Sequence, residues 1–108
     1  MFKDIIKQRD KVAVALGAHK FVLEELHQFK DKNPSIWTGY TVDGNPVHIH
    51  YNFACLSVRI AKKDEEAHLG KEIFSVVYGN DPMEGEITLE DVAMLCEERL
   101  DFSNVLDL

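Results

Sequence analysis

Cysteine is nearly absent from this chain: Cys55 and Cys96 are two residues among 108. They form no C-x-x-C pair and no framework spacing, which excludes a disulfide scaffold and a cysteine-based zinc module. Both lie in apolar-patterned stretches, so they are expected to be buried free thiols in a reducing, cytoplasmic setting. No apolar run approaches the ~18 residues of a membrane-spanning helix, so no membrane association is expected. The opening Met1-Phe2-Lys3-Asp4 is charged at once and carries no apolar signal stretch. No N-x-S/T glycosylation acceptor occurs. No repeat, low-complexity tract or Pro/Gly/Ser-rich linker divides the sequence, so residues 1–108 are read as a single domain.

Catalytic signatures are missing as well. Leu69-Gly70-Lys71-Glu72 resembles the end of a phosphate-binding loop, but Glu65 stands at the first glycine and Glu72 at the hydroxyl position. Without them neither the cradle of amides nor the magnesium ligand can be built. There is no G-x-S-x-G elbow, and no serine has a recognisable partner. The acidic pairs Glu65/Glu66, Glu84/Glu86, Glu90/Asp91 and Glu97/Glu98 lack the apolar setting that would raise a carboxyl pKa for acid–base work. These absences favour a non-enzymatic protein without a cofactor.

What is present is ordinary folding material: 45% hydrophobic residues, 29% charged, and ten aromatics. Phe2 to about Lys32 carries apolar residues at three- and four-residue steps and reads as a helix, closed by Asn33-Pro34. Such a helix would span roughly 46 Å at ~1.5 Å per residue. Either it bends near Gly17 or it protrudes toward a second subunit. Ser35 to Val42 alternates with period two, and Asp43-Gly44 then signals a hairpin into Pro46–Tyr51. A two-residue loop would pair Tyr40 with Val47 and Trp37 with His50, whereas a three-residue loop shifts this by one. Val47, Ile49 and Tyr51 share one face, and His48 and His50 the other. The parity changes after Asn52, which predicts a bulge or sharp bend near Phe53–Cys55. Lys71 to Tyr78 is apolar on both faces and needs cover on both. Thr88 caps a final helix whose stripe is Leu89, Val92, Ala93, Cys96 and Leu100. The expected fold is therefore α+β: a long N-terminal helix, bent or protruding, a three-stranded antiparallel meander and a C-terminal helix, in the order α-β-β-β-α. The overlong helix and the two-sided strand together predict a homodimer.

Charge supplies the functional lead. Residues 1–63 hold ten Lys/Arg against six Asp/Glu, a net +4, while residues 64–108 hold two against thirteen, a net −11. Glu84, Glu86, Glu90, Asp91, Glu97, Glu98 and Asp101 crowd into eighteen residues beside Arg99 alone. Such a face suits a basic surface on a partner protein, including one that handles nucleic acid. The sequence pI near 5.1 opposes direct nucleic-acid binding. The expected function is a small acidic protein-binding regulator or inhibitor, a type often encoded by phages or mobile elements. Two other readings stay open. One is a small metal- or ligand-binding enzyme on the His48/His50 strand face beside Trp37, where two imidazoles at i, i+2 would need a third ligand. The other is a structural homo-oligomer subunit.

Overall fold

The computed structural model describes residues 20–106. Strands β1 (Phe21–Lys30), β2 (Ser35–Thr41), β3 (Pro46–Asn52), β4 (Cys55–Ile60) and β5 (Lys71–Val77) precede a short helix α1 (Leu89–Leu95) and the two-residue strand β6 (Leu100–Asp101). They form one mixed sheet in the order β5-β4-β3-β2-β1-β6. β1 to β5 make an antiparallel meander, and β6 returns to lie parallel to the start of β1.

The α-β-β-β-α expectation is overturned: the described chain is mainly β, and its one α-helix has seven residues. Residues 21–30 of the predicted first helix are strand. Lys20, Asp31 and Lys32 are not helical, and residues 2–19 of the predicted helix, including the bend at Gly17, lie outside the described residues. Two bulges explain the misleading period. Register shifts between Leu23 and Glu25 and between Gln28 and Lys30 each insert a residue into β1. Leu23 and Leu26 therefore face the core three positions apart, which imitates a helical step.

The β2–β3 hairpin uses a three-residue loop. The Asn45 carbonyl accepts from the Thr41 amide at 3.0 Å, and Trp37 pairs with Ile49 rather than His50. At 53–54 the chain makes a two-residue turn with φ of 51° and 56°, so of the expected bulge or sharp bend it is the bend that occurs, as a hairpin between two separate strands. β5 is an edge strand that skips Ile73 against β4, and Val77 is 79% exposed. Ile73, Phe74, Val76 and Tyr78 pack against the core, so among the described residues the expected cover is lacking over Val77 and not over the whole strand. One ground for a dimer, the overlong helix, falls with β1.

The meander buries one face, with Leu23, Trp37, Val47, Ile49, Tyr51, Leu56 and Val58 packed under Ile87, Val92, Cys96, Leu100 and Phe102. The Thr88 hydroxyl accepts from the Asp91 amide at 3.2 Å and starts α1 as expected. The helix stops at Leu95, so Leu100 reaches the core from β6 instead of from the helical stripe. Cys96 is buried and its thiol is pushed up to about 12 by burial, whereas Cys55 is exposed, against expectation. Among the described residues no helix is long and apolar enough to cross a membrane.

Candidate functional site

Where the ends of β1, β2 and β3 meet the segment 78–91, the surface folds into a groove of about 710 Å³. Trp37 and Tyr51 reach it from the core face of neighbouring strands, and Ile87, Leu89 and Tyr78 complete its apolar wall. Asp31, Glu84, Glu86, Glu90 and Asp91 line the same groove, as does Gln28.

Backbone contacts hold this arrangement. Ser35, fully buried on β2, sets its hydroxyl 2.6 Å from the Asp31 carbonyl and 3.1 Å from the Gly85 carbonyl, and accepts from the Ile87 amide at 3.3 Å. The Asn33 amide adds a bond to the Gly85 carbonyl at 2.8 Å. Segment 85–87 is thereby pinned to the sheet. Glu84 is fixed at both ends: its carbonyl accepts from the Ala54 amide at 2.8 Å, and its carboxylate accepts from the Asn80 amide at 3.1 Å. The Tyr51 hydroxyl donates to the Tyr78 carbonyl. Burial, followed by the neighbouring Glu84 carboxylate, holds the Tyr51 phenol above its ordinary range. Gly79 permits this closeness. It has φ +133°, and a Cβ there would stand 2.2 Å from the Glu84 carboxylate.

The structure divides the predicted acidic set. Glu84, Glu86, Glu90 and Asp91 line the groove. Glu90 also borders a second groove, where Glu97 and Asp101 join it beside Lys20. Glu98 is exposed and lines neither. The Asp101 carboxyl is held below its usual range by hydrogen bonds from Ser103, with the Lys20 charge adding to the effect. Glu65 and Glu66 border a different groove with His27 and Tyr40. Among the described residues, no Lys or Arg forms an ion pair with any of the seven acids; the ion pairs present involve Glu25, Glu66 and Glu72.

His48 and His50 lie on the opposite face of the sheet, their rings nearly parallel at 6.1 Å. His68, from the 3-10 turn Ala67–Leu69, approaches His48 edge-on at 6.4 Å. No group of three or more His, Cys, Asp or Glu among the described residues could hold a metal ion. Trp37 faces the core and not these histidines, so the three residues of the alternative enzyme site are split across the sheet.

Sequence reading missed Asp31, Tyr51 and Tyr78 as groove residues. Strand parity does place Trp37 and Tyr51 on the face that 78–91 covers, but nothing local signals the covering segment. No known protein family, curated protein or solved structure matches the chain.

Proposed function

We propose that this chain is a non-enzymatic binding protein whose acidic groove receives a basic segment of a partner protein. The observation that carries this reading is that five carboxylates line one groove together with Tyr78 and Leu89, and none of the five is ion-paired to a Lys or Arg among the described residues. Carboxylates and aromatic faces both attract ammonium and guanidinium groups, and the apolar wall suits the methylene stems of Lys and Arg. A partner with a basic nucleic-acid-binding surface offers that chemistry, and occupying its Lys/Arg residues would block a phosphate backbone.

Trp37 is the only tryptophan, so its fluorescence reports on the groove directly. Titrating an Arg-rich peptide should give a saturable change in that signal. The apparent affinity should fall as salt rises, because exposed charges are screened over ~8 Å at physiological ionic strength. Glu86→Lys combined with Glu90→Lys should weaken binding at least about tenfold, or ~1.4 kcal/mol. Equal affinity for an acidic control peptide, or no loss in the double variant, would overturn the reading.

A further inference from the structure

β5 closes one end of the sheet and has no strand on its outer side among the described residues. The Tyr78 amide donates to the Ala54 carbonyl at 2.8 Å, so it points toward β4. Backbone direction alternates along an antiparallel strand, which turns the amides and carbonyls of Val77 and Ser75 outward. Sheets guard such an edge with charge, proline or a bulge. Lys71, Glu72 and the register shift at Ile73 guard the start of β5. Phe74–Val77, by contrast, keep an unbroken register, carry no charge and contain no proline.

The order of residues along the strand identifies what fits it. A two-fold pair needs a surface complementary to itself. With the axis at Ser75, Phe74 stands opposite Val76 of a second copy and Ile73 opposite its Val77, apolar against apolar at every step. An axis at Phe74 would set Lys71 and Glu72 against Val77 and Val76, and an axis at Val76 would set Val77 against Ser75. Phe74 and Val76 share the core face with their β4 partners Val58 and Leu56 and are only half-buried, so the Ser75 register carries the apolar layer across the join. It also sets Lys71 opposite Gly79, at the mouth of the turn that bears Asp81. We infer that two copies of this chain join antiparallel along β5, about a two-fold axis at Ser75, into one continuous sheet. A strand edge this short lies at the small end of protein interfaces, so the association is weak, on the order of micromolar or above. The inference does not rest on the proposed basic partner, which meets carboxylates and not a strand edge.

The test is sedimentation equilibrium of the full chain between ~10 μM and ~1 mM, where the mass should rise from 12.3 kDa toward twice that value. Amide exchange should slow at Ser75 and Val77 as concentration rises, while Phe74 and Val76, already bonded to β4, stay unchanged. Ser75→Pro removes an outward amide without touching a β4 bond, so near-ultraviolet circular dichroism should show the fold intact. The loss counts twice about a two-fold axis, and dimer affinity should fall at least about tenfold. Val77→Lys changes an exposed side chain and should weaken the dimer in the same way, which keeps the test decisive if Ser75→Pro fails to fold. A mass of 12.3 kDa at every concentration, or a dimer indifferent to a folded variant, would overturn the inference. A dimer whose Ser75 and Val77 amides exchange freely would overturn it by placing the contact elsewhere. Protection of those amides in the monomer would overturn it too, by giving the edge to another part of the same chain. Peptide binding at Trp37 can succeed or fail independently of all these outcomes.

Discussion

Ser35 gives up its exposure entirely to hold three backbone groups, and two of these lie about fifty residues downstream. Removing its hydroxyl leaves the Ile87 amide buried without an acceptor, a cost of about 1–3 kcal/mol. Ser35→Ala should lower the urea midpoint accordingly. It should also loosen the groove wall, seen as faster amide exchange at Ile87. This role was invisible in sequence, where Ser35 is only the polar start of a strand. The inward positions Val47, Ile49 and Tyr51 were legible, because strand alternation is a local property. Cys55 was misjudged for the opposite reason. It closes the tight 53–54 turn as the partner of Asn52, and pairing at a turn leaves its side chain outside.

Elements with strong local signals survived the comparison with structure. Thr88 with Asp91 marks a helix start by capping chemistry alone, and the structure places the bond there. Thr88→Ala should cost about 1 kcal/mol in thermal or urea unfolding, while Thr88→Ser should be nearly neutral. β1 failed for a reason specific to its bulges. Its Leu23–Leu26 spacing comes from an inserted residue, and only the partner strand reveals the insertion. The bulge also presses β1 onto β2 at Gly39, where a Cβ would lie 2.0 Å from the Glu25 carbonyl oxygen. The helix end was overrun because Leu100 continues the stripe by number while belonging to β6.

At the scale of the molecule, the sequence showed the charge imbalance but not its division between two grooves, which depends on how 78–102 folds over the sheet. The sheet's other face has its own electrostatics. Burial lowers the His48 pKa below 6.5, helped by His50, His68 and Arg59, and burial lowers that of His50. The folded state therefore prefers both rings neutral. The unfolded chain binds protons first as pH falls through about 6.5, so stability present above that pH is lost on acidification. Denaturant midpoints measured from pH 7.5 down to pH 5.5 should decline. Replacing both residues, His48→Gln with His50→Gln, should flatten that slope. An unchanged slope would mean that other groups carry the acid sensitivity.

The parallel pairing of β6 with β1 has a consequence for the order of synthesis. On a ribosome, each hairpin of the meander can close within about 1–10 μs of emerging, since neighbours in sequence are neighbours in the sheet. The cover arrives later, because Val92, Cys96, Leu100 and Phe102 follow β5 by fifteen to twenty-five positions. At ~5–20 residues per second, the nascent sheet shows its apolar face for about one to five seconds. That interval exceeds the hairpin time by about five orders of magnitude. The sheet's apolar face thus stays open to aggregation and to chaperones until residues 92–102 emerge, and synonymous codons that slow the ribosome between β5 and Phe102 would lengthen that period.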